Sequence, residues 1–109
     1  MLPNAHLAVI DPSKVRDYLL SPSHPIGRFK SAVFVALGYS QENWQVLHDD
    51  LFALAQRDAA VPGQASPYGR KFEVSGKLTG PSGRARQITT VWLMKPEEAA
   101  PKFVTAFPR

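Results

Sequence analysis

Cysteine is absent from the 109 residues. There is thus no disulfide framework, no thiolate nucleophile and no cysteine-based zinc site, and a reducing compartment, the cytoplasm by default, suits such a chain. Long hydrophobic runs are missing too. No stretch approaches the roughly 18 apolar residues of a membrane span. The opening MLPNAHLAVIDPSK has neither a basic leader nor a long apolar core. Membrane insertion and export by a standard signal are therefore not expected. Also lacking are a glycine-rich phosphate loop, a dinucleotide fingerprint, a paired-histidine helix motif and a calcium loop. His6, His24 and His48 form no i, i+4 pair, so neither a metal site nor a cofactor is expected.

What remains is an ordinary globular composition, 44% apolar and 20% charged, at a length that closes one core but not two. Residues 1–109 read as a single domain. The net charge of +4 divides unevenly along it. Residues 40–58 carry Glu42, Asp49, Asp50 and Asp58 against Arg57, whereas residues 70–95 carry Arg70, Lys71, Lys77, Arg84, Arg86 and Lys95 against Glu73. A basic second half is either a solvated face or the footprint of an anionic ligand, with RNA first in line.

Periodicity divides the chain the same way. Asp11-Pro12 reads as N-cap and first helical position of a helix running to about Leu20, with Val15, Tyr18 and Leu19 as its buried stripe. Before it, Ala5 to Ile10 reads as a short strand or extended arm. Pro22 and Pro25 stop the first helix, and Pro25 opens a second one that ends at Leu37, with Gly38 as a left-handed cap. Ser40 caps a third, to about Gln56, whose apolar face is Trp44, Leu47, Leu51 and Leu54 or Ala55. Residues 58–69 have no period and read as the loop between the helical half (about 12–56) and the sheet half (about 70–107).

After Gly69 the period becomes two, with Phe72, Val74, Gly76 and Leu78 on one face. Thr79-Gly-Pro-Ser-Gly83 is a turn, and a strand rich in β-branched residues follows from Arg84 to Lys95. Lys102 to Phe107 alternates again, Phe103, Thr105 and Phe107 opposite Val104 and Ala106. The expected fold is α+β: about three N-terminal helices packed on a C-terminal antiparallel sheet of three to four strands in meander order.

Chemistry must come from what these elements bring together. His24 sits between prolines in an interhelical loop, held yet accessible, with Arg28 and Lys30 close behind it. On the sheet, Thr90 and Thr105 offer hydroxyls, and Arg70, Lys71, Arg84, Arg86 and Trp92 offer charge and a stacking surface for RNA, together with Arg28. Histidine, lysine and hydroxyl suffice for metal-free RNA cleavage: a base takes the 2′-hydroxyl proton, an acid protonates the leaving 5′-oxygen, and cations hold the charge gathering on phosphorus. Read without chemistry, the same residues are a hydrogen-bonded loop histidine and strand threonines chosen for β propensity.

Leu2-Pro-Asn-Ala5, the run from Tyr18 to Gly27, Lys30, Phe34, Leu37-Gly38, Gly80-Pro-Ser-Gly83, Thr90-Val-Trp92 and Thr105-Ala-Phe-Pro108 together resemble a bacterial family of uncharacterised activity. Its members look like small stand-alone proteins or C-terminal modules of polymorphic toxins. The succession of helices and sheet is also similar to the fold shared by barnase, EndoU, colicin nuclease domains and RelE-type toxins. The resemblance implies a metal-independent ribonuclease with a neutralising immunity or antitoxin partner, and with His24 and Lys30 facing Thr90 and Thr105. A protein interaction module without catalysis, or an RNA-binding domain without catalysis, fits the same residues.

Overall fold

In a computed structural model of the chain, residues 1–25 and 28–109 are described, with the backbone alone for Arg28 and Phe29. Three helices precede a four-stranded antiparallel sheet in meander order, an α+β fold.

Helix α1 (Pro12–Lys14) starts where Asp11 accepts a hydrogen bond from the Ser13 amide at 2.9 Å. It runs directly into a π-helical stretch, Val15–Leu19, closed by the Leu20 amide on the Val15 carbonyl at 3.0 Å. Val15 and Leu19 are buried as the stripe requires, but Tyr18 is only half buried. Pro25 lies in a turn and helix α2 is described from Arg28 to Ala36. The expected start at Pro25 is thus not seen, and Ile26 and Gly27 lie outside the described residues. Gly38, at φ 100°, ends this helix as a left-handed cap.

Helix α3 (Trp44–Arg57) begins later than expected. Ser40 does not cap it: the Asn43 amide donates to Ser40 Oγ and the Ser40 amide to Asn43 Oδ1, closing a separate turn ahead of the helix. Leu47, Leu51, Leu54 and Ala55 form its fully buried face.

The expected loop after α3 is instead strand β1 (Ala60–Ser66), paired antiparallel with β2 (Gly69–Thr79). It escapes pattern reading because it buries nothing. Every residue from Val61 to Ser66 is exposed, so no alternation is needed, and Pro62 is tolerated because β1 is an edge strand. Strands β3 (Ala85–Met94) and β4 (Lys102–Pro108) complete the sheet. The far edge, β4, is partly covered by the N-terminal arm. There Ala5–Leu7 form a 3₁₀ turn rather than a strand, and Val9 bridges Lys102 in parallel.

The helices cover one face of the sheet. Val74, Leu78, Ile88, Trp92, Phe103 and Ala106 join Phe34, Leu37, Tyr39 and the α3 face in one apolar cluster. Phe103 and Ala106, an odd number of residues apart, share this face. Val91 pairs with Thr105 but Trp92 with Phe103, so Val104 is an extra residue, a β-bulge. The uninterrupted alternation expected for β4 is corrected accordingly.

The turn between β2 and β3 docks on the end of α2. The Ser82 amide donates to the Leu37 carbonyl at 3.0 Å, and a Cβ added at Gly80 would overlap that same carbonyl oxygen. Gly80→Ala is therefore expected to lower unfolding stability by roughly 1–3 kcal/mol, through overpacking against backbone. A urea titration checks it, and an unchanged midpoint would show that the turn can retreat from the helix.

Candidate active site

At the edge of β4, four side chains from the helical half and the sheet meet. Lys30, in the first half of α2, donates from Nζ to Tyr18 Oη at 2.7 Å and to Thr105 Oγ1 at 2.8 Å. Tyr18 Oη and Thr105 Oγ1 lie 3.1 Å apart, closing the triangle. The His24 ring stands edge-on to the Tyr18 ring, centroids 5.0 Å apart. Tyr18, His24 and Thr105 line an open cleft of about 580 Å³ with Ser13, Lys14, Asp17 and Val104.

Lys30 sits in the regular helix α2, and the other three owe their places to local irregularities. Tyr18 belongs to the π-helical stretch, where an added residue per turn re-aims the side chains; such stretches recur at functional sites. Thr105 follows the bulge at Val104, and both residues line the cleft. His24 is held in the turn that the flanking prolines impose.

Electrostatics single out Tyr18. Burial pushes its phenol up, but hydrogen bonds from Lys30 and with Thr105, aided by the Lys30 and Lys14 charges, outweigh burial and hold its pKa below the ordinary tyrosine value. The Lys30 ammonium also lies 5.1 Å from the centre of the Tyr18 ring. The group therefore combines a fixed cation, a hydroxyl, an acidified phenol and an imidazole beside one cleft. Among the described residues, no three His, Asp or Glu side chains stand close enough to hold a metal ion.

The structure brings His24, Lys30 and Thr105 together, and with them Tyr18, which sequence reasoning places in the core stripe. The available signal is its hydroxyl: a tyrosine in an otherwise aliphatic stripe needs a polar partner. Two expected site residues must be withdrawn. Thr90 is fully buried, its hydroxyl donating to the Val74 carbonyl and accepting from Trp92 Nε1, both at 2.8 Å. Trp92 is likewise fully buried, edge-on to Phe103, and offers no surface to a base. Both point to the helix side of the sheet.

Arg70, Lys71, Arg84 and Arg86 are exposed but do not line the cleft. Arg86 lies five residues along β3 from Val91, the partner of Thr105, about 17 Å away at strand rise. Arg84 is further out in the turn, while Arg70 and Lys71 sit at the opposite end of β2. The Arg28 side chain lies outside the described residues.

A small α+β protein with a polar cluster at the sheet edge is the class that fold and site define. The chain belongs to the family of the domain of unknown function DUF6883, whose model matches residues 1–109. No curated protein matches the sequence. Among solved structures, the fold is similar to that of a chain in the contact-dependent growth inhibition toxin–immunity protein complex from Klebsiella pneumoniae 342. The TM-score is 0.72 at 18% identity, over 96% of each chain. Among the described residues, no helix is long and apolar enough to cross a membrane.

Proposed function

We propose that this chain is a toxin-type, metal-independent ribonuclease, and the carrying observation is the Lys30–Tyr18–Thr105 triangle beside His24 on an open cleft. The fold it shares with a chain of a toxin–immunity protein complex supports a toxin-related role. The expected partners are RNA as substrate and a separate immunity or antitoxin protein as inhibitor.

In this reading an RNA strand crosses the cleft with one phosphate at the triangle. His24, as the neutral imidazole, removes the 2′-hydroxyl proton, and the 2′-oxygen attacks phosphorus. Lys30 and Thr105 donate to the non-bridging oxygens as negative charge collects there. Tyr18, made more acidic by its neighbours, gives its proton to the departing 5′-oxygen. The products are a 2′,3′-cyclic phosphate and a free 5′-hydroxyl, and His24 returns its proton to Tyr18 through solvent.

The test is induced expression in a bacterial host of the native chain beside His24→Ala. Growth arrest with fragmented RNA for the native chain alone is expected, together with a loss of about 10²- to 10⁴-fold in cleavage by the purified variant. Equal cleavage by both would remove His24 from the mechanism.

A non-catalytic interaction module is the second reading, favoured by β1. This edge strand is exposed on both faces, with Val61 within it 65% and Tyr68 just past it 80% accessible, the form that accepts a partner strand. Intact RNA and normal growth at high soluble expression would favour that role.

A further inference from the structure

We propose that the open face of the sheet carries a base-reading subsite that takes a guanine next to the cleaved phosphate; this rests on the ribonuclease reading. Pairing places Thr105, Val91, Glu73 and Val61 in one row across the four strands, and Phe107, Thr89 and Ser75 in the next row. Residues directly opposite share a face, so both rows lie on the side away from Val74, Thr90 and Ala106, which the helices cover. Thr105, the sheet's contribution to the cleft, therefore begins a track along the open face.

That track leads into a depression of about 480 Å³ lined by Glu73, Ser75, Thr89, Val61, Asp58 and Arg109. Thr89 is a diagonal neighbour of Thr105, about 7–8 Å away, which is the reach from a phosphate to the base of the same or the adjoining nucleotide. Ser75 Oγ and Thr89 Oγ1 hydrogen-bond to each other at 2.8 Å and form a fixed polar floor. By register, half-buried Val91 lies opposite Glu73 and half-buried Phe107 opposite Thr89, an apolar rest for a ring beside the depression.

The polar groups define which base fits. The exposed Glu73 carboxylate only accepts hydrogen bonds, and its two oxygens take parallel donors in the fork geometry. Of the four RNA bases, guanine alone presents two adjacent donors, N1–H and the 2-amino group, on its pairing edge. Adenine and cytosine would turn a ring-nitrogen acceptor towards the second carboxylate oxygen, and uracil would turn carbonyls. Arg109, two residues beyond Phe107 and just past β4, supplies donors for the neighbouring O6. Lys71, two residues before Glu73 on the same strand face, keeps an anionic strand close to a carboxylate.

Binding of the four nucleoside 3′-monophosphates, measured by calorimetry on His24→Ala and on His24→Ala with Glu73→Gln, tests this apart from catalysis. Guanosine 3′-monophosphate is expected to bind the first protein about tenfold or more tightly than the other three. The second protein should lose that preference while keeping the weak affinity common to all four. Equal affinities in the first protein, or a preference surviving Glu73→Gln, would overturn the subsite. Cleavage-site mapping with the native chain separates the two proposals: cuts without base preference leave a ribonuclease without this subsite, and guanine binding without any cleavage leaves the subsite while removing the ribonuclease.

Discussion

Replacing Lys30 by methionine is expected to lower RNA cleavage by about 10²- to 10³-fold, the usual cost of one preorganised donor at a developing oxyanion. It should also raise the Tyr18 pKa from its lowered native position. The sign follows from the competing influences on the phenol. Burial is the largest and acts upward, and the native value lies low only because the Lys30 hydrogen bond, the Thr105 hydrogen bond and two lysine charges together exceed it. Removing Lys30 deletes the first of the opposing bonds and the nearer charge. Thr105 and the exposed Lys14, 6.0 Å from the ring centre, are left against burial. Methionine fills similar volume without a donor, and the Tyr18–Thr105 hydrogen bond survives, so the fold is expected to persist.

Alkaline titration of phenolate absorbance, with Tyr18→Phe subtracted to isolate this ring from Tyr39 and Tyr68, gives the direction. A Tyr18 that titrates alike in native and Lys30→Met protein would refute the electrostatic account, and unchanged cleavage would refute the catalytic one. The same shift bears on stability. A phenol more acidic in the folded than in the unfolded chain adds stability that is full above the unfolded value, near pH 10, and is lost as pH falls through the folded value. Native protein should therefore gain on Tyr18→Phe only in alkali.

What sequence could and could not disclose follows from what each element must bury. Helix α3 and the β2–β3 hairpin have one dry and one wet face, and their apolar spacing states it. Strand β1 has no dry face, so residues 60–66 carry no signal and read as loop. Alternation alone also misassigns hydroxyls. Thr90 and Thr105 look equivalent in sequence, yet Thr90 faces the helices, whereas Thr105 follows an extra residue at Val104 and reaches the cleft. The bulge becomes visible only when β4 is paired with β3. Tyr18 was hidden for a similar reason. Its i+3 spacing from Val15 fits the core stripe of a regular helix, and the π-helical stretch turns it partly out of that stripe. The segment around His24 and Lys30 was legible because proline punctuation and charge are local properties of the chain. Which sheet hydroxyl Lys30 meets is set by a contact 75 residues away in sequence.

Trp92 gives the largest expected effect on stability, and the test distinguishes the buried role from the RNA-stacking role that its sequence position suggests. Trp92→Ala should cost about 3–5 kcal/mol, the range for removing a fully buried large aromatic side chain. That is a large part of the roughly 5–15 kcal/mol by which such a domain is stable. Three contributions coincide at this residue. The ring is fully enclosed, it packs edge-on against Phe103 at 5.4 Å, and its N–H donates to Thr90, whose own hydroxyl donates to the Val74 carbonyl on the paired strand. Trp92→Phe keeps most of the apolar volume and loses the N–H, so it should cost less than alanine. In thermal unfolding the alanine variant should melt roughly 10–25 °C below the native chain, with phenylalanine in between. A side chain used for stacking on bases would behave oppositely, its removal weakening RNA binding with little change in Tm. Because Trp92 is the residue beside the bulge and pairs with Phe103, loosening it also frees the segment that carries Thr105. The phenylalanine variant, measured well below its own Tm, should therefore lose cleavage beyond its unfolded fraction, whereas the distant Gly80→Ala should lose cleavage only as it unfolds.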